Sequence, residues 1–207
     1  LDVSSFVDNF WFNILSMNAD WGARSQYFFK DRGGLLQAGP IWDYDRSMGA
    51  RDFDDDNPEV WDWSAGHSDT FYDSEYPWYG RLFGFSSNNQ PTPGASSTRP
   101  DVFQQVIDRW YELRGSEFSQ ANMEAIIDSM AAEMTEAQAR NFVRWTTYTP
   151  GDIQGMSYAA PGTSGWEREV SHLKGWLLAR SEWIDDQFFG PPVFNQGGGV
   201  VAENFQL

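Results

Sequence analysis

Three aspartates in the first 45 residues have the type and spacing that acid/base or metal chemistry requires. Asp20 ends an Asn-Ala-Asp triplet, and Asp43 and Asp45 flank a tyrosine in the segment Trp-Asp-Tyr-Asp. Carboxylate oxygens are the ligands that hard divalent cations prefer. If a strand continues through this segment, Asp43 and Asp45 share one of its faces, because side chains alternate with period two. The same acids could instead cap a helix and begin a turn, and the residues alone leave both interpretations open.

The elements predicted around these aspartates are a helix and a hairpin. Asp2 is a suitable N-cap, and the apolar residues after it recur at helical spacing to about Asn18. Residues 25–30 and 35–42 have the pattern of two strands with a tight turn between them. A helix end and a strand end that are joined by one short hairpin can bring Asp20 to the same pocket as the aspartates of the second segment.

The rest of the chain predicts further helices after a long irregular stretch. Between residues 43 and 100 the apolar periodicity disappears, and we expect residues 86–97 within that stretch to be mobile. Helical spacing returns over residues 102–113, again after an N-capping Ser119 toward residue 145, and over residues 166–188. The predicted fold class is therefore α+β, a mostly helical body with a small β-hairpin that carries the site.

Composition and charge disfavour several classes of binding partner and of chemistry. The 207 residues carry 30 acidic and 14 basic side chains, which gives a formal net charge of −16. Such a charge repels a phosphate backbone and disfavours a nucleic-acid partner. No apolar run approaches the roughly 20 residues that a membrane-spanning helix needs, and the chain has no cysteine for thiol catalysis or disulfides. Any phosphate ligand would have to arrive with divalent cations, for which carboxylates are the natural hosts.

Two weaker signals add little to the candidate site. Residues 52–57 resemble the start of an EF-hand loop but lack its glycine, so we expect a solvated acidic loop with adventitious Ca²⁺ binding. The chain has only two histidines, His67 and His172, and we expect both at the surface or its boundary. A histidine metal site is therefore not expected.

Three segments resemble one known family. They are residues 39–47 (GPIWDYDRS), 103–114 (FQQVIDRWYELR) and 170–185 (VSHLKGWLLARSEWID). Together with the helix and the Asn-x-Asp triplet before them, they are similar to the spore coat protein H, or CotH, kinase family. The resemblance covers residues 1–189 and only the second half of the family's domain. Residues 190–207 look like a linker and the start of the β-type module that follows in secreted members of the family.

The resemblance implies the C-terminal lobe of an atypical protein-kinase-like fold that transfers the γ-phosphate of ATP to Ser or Thr hydroxyls of a protein. Asp20 matches the catalytic-loop acid, and Asp43 matches the metal-binding acid of the kinase DFG motif. Asp45 is expected to be a further metal ligand, and Asn18 to orient the Asp20 loop at the nucleotide. Gln26 stands near the place of the metal-binding asparagine of protein kinases. The expected cofactors are Mg²⁺ or Mn²⁺, with ATP as co-substrate.

The resemblance also implies a context for the chain. We expect an N-terminal lobe to precede Leu1, because the sequence contains no glycine-rich phosphate loop. The expected protein is bacterial, multidomain and extracellular or on the cell surface, and its substrate is expected to be Ser-rich. The alternative is a non-catalytic extracellular binding or structural module, a degenerate kinase lobe whose acidic loops bind Ca²⁺. Asp20 and Asp43 favour the enzyme, whereas Gln26 in place of the asparagine favours the module.

Overall fold

The computed structural model describes residues 1–18, 20–21, 24–49, 57–61, 82–83, 100–146, 158–188 and 190. Several sequence predictions lie outside these residues: the loop at 52–56, His67, the stretch at 86–97 and the tail at 191–207.

The described elements are four helices and one small sheet. They follow in the order α1 (Val3–Ser16), β1 (Phe28–Phe29), β2 (Gln37–Ala38), α2 (Pro100–Arg114), α3 (Gln120–Arg144) and α4 (Gly165–Asp185). The two strands pair antiparallel, with Phe28 opposite Ala38 and Phe29 opposite Gln37. This mostly helical arrangement with one short hairpin is compatible with the predicted α+β class, and the predicted helices all occur.

The hairpin is held on the N-terminal turn of α1. The Asp2 side chain accepts a hydrogen bond from the Ser5 amide at 3.3 Å, which caps the helix, and another from the Gln37 side chain at 3.0 Å. The Ser5 hydroxyl accepts a hydrogen bond from the Ala38 amide at 3.1 Å, and Phe28 stacks on Phe6. The residues that start the helix therefore also fix the second strand beside it.

Three fully buried tryptophans, Trp11, Trp110 and Trp176, lie in the core between the helices. Trp11 of α1 donates its ring N–H to the backbone oxygen of Val106 at 2.6 Å, and Trp110 of α2 donates to Asp185 of α4 at 2.8 Å. A buried aromatic ring contributes large apolar area, and its polar N–H needs such a partner. The core thus joins α1, α2 and α4 into one scaffold for the residues at the end of α1.

Arg180 of α4 reinforces that scaffold from inside. Its guanidinium is fully buried and donates to the carbonyl oxygens of Ile14, Pro58 and Trp61, at 2.7–3.0 Å, and also to that of Val60. A cation at the C-terminal carbonyls of a helix is favoured by the helix dipole. The last turn of α1 is therefore held in place from α4.

α3 is a more peripheral element. None of its residues is buried, and its contacts are with α4, where Lys174 forms an ion pair with Asp128. Four large apolar side chains on it, Ile126, Met130, Met134 and Val143, are exposed. Among the described helices, none has the length and apolar character that a membrane crossing requires.

Candidate functional site

The candidate site begins where α1 ends. The amide of Met17 donates to Ile14 O at 3.4 Å and that of Asn18 to Asn13 O at 3.3 Å, the hydrogen-bond pattern of a Schellman motif. Glycine usually takes the left-handed position of this motif, but here Met17 occupies it, with φ +49°. A non-glycine residue in this conformation is strained, and such strain is often found at functional sites. The turn redirects the chain from α1 toward Asp20.

Asn18 organises the loop that carries Asp20. Its side chain is buried, and its Oδ1 accepts a hydrogen bond from the Asp20 amide at 3.0 Å. The backbone oxygen of Asp20 then accepts from the amides of Arg24 and Ser25, at 3.1 and 3.2 Å. Among the residues that the structure describes, the buried Nδ2 of Asn18 has no hydrogen-bond partner. Asn18 therefore shapes the Asp20 loop, and its contact with a nucleotide stays a prediction.

The Asp20 carboxylate is paired with two arginines. Arg46 donates to Oδ1 at 3.0 Å and Arg24 donates to the same oxygen at 3.2 Å. The exposed fraction of the side chain is 15% for Asp20, 25% for Arg46 and 74% for Arg24. Asp20 is thus charge-compensated and partly withdrawn from water, which suits an acid that must keep one orientation.

The segment of residues 42–48 runs beside the C-terminal half of α1. The Tyr44 hydroxyl donates to Asn13 Oδ1 at 2.8 Å, and the Met48 amide donates to Ser16 O at 2.8 Å. Burial raises the pKa of Tyr44 to about 12. Tyr44 is therefore neutral at physiological pH and serves as an anchor between the two neighbouring aspartates.

Asp43 and Asp45 lie on either side of that anchor, and both are exposed. The strand β2 ends at Ala38, and Asp43 has φ +62°. The proposed strand continuation is therefore wrong, and period-two alternation is not what places these two carboxylates in solvent. Both carboxylates face solvent because the half-buried Tyr44 between them turns inward onto α1.

No group of three or more His, Cys, Asp or Glu residues within the described ranges is arranged to hold a metal ion. The donor set nevertheless fits Mg²⁺ at a nucleotide, because Mg²⁺ is usually held by one or two carboxylates together with phosphate oxygens and water. Asp43 and Asp45 are exposed carboxylates, and the Oδ1 of Asp20 accepts hydrogen bonds from two arginines. A shared cleft for Asp20 and Asp43, and a role for the half-buried Gln26, stay predictions.

Arg46 lies at the site but was not among the predicted site residues, and His172 lies in a different environment from the one predicted. Arg46, directly after Asp45, joins the two aspartate-bearing segments, and its place beside the acids of an otherwise acidic chain was the available signal. His172 was expected at the surface or its boundary but is buried, with Nε2 3.0 Å from the backbone oxygen of Gly49. It supports Gly49, the residue that follows the 42–48 segment.

A cleft of about 530 Å³ opens beside the site, between α1, α2 and the hairpin. Its apolar walls include Phe12, Phe29, Ile41, Leu113 and Phe118. The wall residue Ile41 precedes Asp43 by two positions, so the cleft adjoins the segment that carries the exposed aspartates.

Comparison with known proteins gives a match to one family. The family model described as CotH kinase protein matches residues 1–184. No curated protein and no solved structure matches the chain.

Proposed function

The chain belongs to the CotH kinase family, and from this premise we propose that it is the C-terminal lobe of an atypical protein-kinase-like fold. In the full-length protein this lobe takes part in transfer of the ATP γ-phosphate to Ser or Thr hydroxyls of a protein. The mostly helical body and the hairpin beside the aspartate segments support that proposal. The phosphate-cradling loop would come from the rest of the kinase domain.

The observation that carries the proposal is the ion pair between Arg46 and Asp20. It ties the loop that holds the candidate catalytic acid to the segment that holds the candidate metal acids. Phosphoryl transfer depends mainly on positioning and charge neutralisation, so a fixed relation between these two segments is what the reaction needs.

The two groups of acids have different proposed roles. Asp43 and Asp45 would hold Mg²⁺ or Mn²⁺, which neutralises the charge of the phosphates when it is bound. Asp20, held by Arg46 and by the Asn18 turn, orients the acceptor hydroxyl and receives its proton at the carboxylate. The apolar cleft next to Ile41 would receive side chains of the protein substrate.

Family resemblance supports the wider setting of the proposal. We expect a secreted or cell-surface bacterial protein with several domains, in which residues 190–207 lead into a β-type module. The expected substrate is a Ser-rich protein. The net charge of −16 supports metal-dependent rather than direct recognition of phosphate.

A non-catalytic binding module is the second candidate function. Two arginines already neutralise Asp20, and Gln26 stands where protein kinases place a metal-binding asparagine. In that case the acids would bind Ca²⁺ without any transfer of phosphate.

Incorporation of γ-labelled phosphate by the full-length protein separates the two functions. The wild type is expected to label itself or a Ser-rich protein in the presence of Mg²⁺, and Asp43→Asn is expected to abolish labelling. Asp101→Asn, an exposed change at the start of α2, is the matched control and should retain labelling. Labelling that survives replacement of both Asp20 and Asp43, or a wild type without activity, would leave the binding module as the function.

A further inference from the structure

Arg46 is the cationic link between the two aspartate-bearing segments. Its Nη1 lies 3.0 Å from Asp20 Oδ1, although the two residues are 26 positions apart in the chain. Both side chains are mostly withdrawn from water. A charge-assisted hydrogen bond is stronger in such surroundings than at an open surface, so this contact restrains both segments.

Arg24 provides an internal comparison, because it donates to the same oxygen at 3.2 Å. It follows Asp20 by four residues, and its side chain is 74% exposed. An exposed ion pair contributes little because solvent and salt screen it. Arg24 also belongs to the Asp20 loop itself, so it cannot fix that loop relative to residues 42–48.

The segment around Arg46 is fixed on both sides. Tyr44 is hydrogen-bonded to Asn13, and Met48 is hydrogen-bonded to Ser16, both on α1. The Ser47 hydroxyl donates to the backbone oxygen of Tyr44 at 2.7 Å and closes the turn between them. The backbone at position 46 is therefore held close to the end of α1, where its guanidinium meets Asp20.

We propose that Arg46 is a positioning residue for phosphoryl transfer. It holds the Asp20 carboxylate in one orientation relative to Asp43 and Asp45, and this inference rests on the proposed function. Misplacement of a reacting group by about 1 Å can cost roughly 100-fold in rate. Loss of Arg46 should therefore lower kcat, while the KM for ATP changes little because the metal acids remain in place.

The kinetic test compares four variants of the full-length protein. Arg46→Met is expected to lower kcat at least about 10-fold, and Arg46→Lys to recover part of the loss because it restores the charge. Arg24→Met is expected to lower kcat by a smaller factor than Arg46→Met, because its exposed ion pair with Asp20 contributes little. Arg140→Met is the matched control, since Arg140 forms an exposed i,i+4 ion pair with Glu136 on α3.

A second measurement on the same protein does not depend on catalysis. Urea midpoints for Asp20→Asn, Arg46→Met and the double variant should be non-additive, because the two side chains share one contact. The corresponding cycle with Arg24 should be closer to additive, because that ion pair is exposed and screened by solvent and salt. Additive midpoints for Asp20 and Arg46 would overturn the inference.

The two measurements separate failure of the inference from failure of the proposed function. If the wild type transfers phosphate and Arg46→Met keeps its kcat, the positioning role is wrong and the kinase function stands. A wild type that transfers no phosphate overturns the proposed function and the positioning role together, even where the midpoints are non-additive.

Discussion

The three aspartates of the site differ mainly in the surroundings of their carboxylates. Asp20 is partly buried between Arg46 and Arg24, whereas Asp43 and Asp45 face solvent. A compensated carboxylate keeps its orientation, and exposed carboxylates can exchange water for a metal ion. The three aspartates are therefore not interchangeable, and each replacement should have its own kinetic signature.

Tyr44, between the exposed aspartates, makes the stability of the fold sensitive to alkaline pH. Burial raises its pKa to about 12 in the folded protein, against about 10 in an unfolded chain. Its stabilising contribution is therefore complete below about pH 10 and is lost as the pH rises toward about 12. Tyr44→Phe should flatten this part of the stability curve, as measured by urea unfolding at about pH 8 and about pH 11.

At neutral pH the same variant should lose about 1 kcal/mol of unfolding free energy, because the Asn13 side chain then lacks its hydrogen-bond donor. An unchanged alkaline slope in Tyr44→Phe would show that this hydroxyl is not what couples folding to pH.

At the level of elements, α1 is the support for the whole site. Its first turn holds the hairpin through Asp2 and Ser5, and its last turn holds residues 42–48 through Asn13 and Ser16. The chain from β2 to Met48 therefore has fixed points at both ends of one helix, so its exposed aspartates keep a defined place beside the Asp20 loop.

Gly49 closes this segment against α4, and its replacement should destabilise the protein. Its φ is +67°, and an added Cβ would lie 2.5 Å from Trp176 Cδ1 and 3.0 Å from His172 Nε2. Gly49→Ala should cost about 2–5 kcal/mol, the sum of left-handed strain and overpacking. Gly33→Ala is the matched control, because Gly33 has φ +77° with open space around it, and it should cost only about 1–2 kcal/mol.

Chemical denaturation of the two glycine variants measures the difference. Equal losses of unfolding free energy would mean that the packing of Gly49 against Trp176 and His172 does not restrain the segment.

The helices could be predicted from the sequence because their apolar spacing is local information. The strands could not be bounded in the same way: patterns over residues 25–30 and 35–42 gave only two paired residues in each strand. Phe28 packs on Phe6 of α1. An aromatic run that is typical of a strand can therefore reflect contact with a helix as well as strand pairing. The spacing of apolar residues also does not show whether another element packs on that face of a helix. Met130 on α3 belongs to such a pattern and is exposed.

The residue types of the site could be predicted from the sequence, but the contacts between these residues could not. Asp20 and Asp43 could be singled out because each follows the end of an element predicted from the sequence. The ion pair of Arg46 with Asp20 and the burial of His172 against Gly49 depend on residues 26 and 123 positions apart. Such contacts follow from how α1 and α4 pack, which local patterns do not specify.

For the molecule as a whole, the excess of acidic residues implies a response to divalent metal. An ion that binds the folded state raises its stability by mass action, so millimolar Mg²⁺ should raise the melting temperature of the full-length protein. Asp43→Asn should reduce that rise, because one of the two exposed carboxylates of the site is lost. Differential scanning fluorimetry with and without Mg²⁺ measures both.

Arg140→Met is the control for a general effect of substitution, because Arg140 lies on α3 and pairs there with Glu136. A Mg²⁺-induced rise of the same size in Asp43→Asn and in the wild type would place the metal elsewhere, for example at residues 52–56.

Asp20 and Asp43, which are held differently, are proposed to serve one phosphoryl transfer. Single-turnover transfer of γ-labelled phosphate by the full-length protein tests this division, with ATP affinity measured separately for Asp20→Asn and Asp43→Asn. Asp43→Asn should lose Mg²⁺-dependent ATP binding together with transfer. Asp20→Asn should keep ATP binding and lose turnover, because it acts on the acceptor hydroxyl and the transition state. Wild-type turnover in both variants, or the same loss of ATP binding in both, would contradict this division of roles.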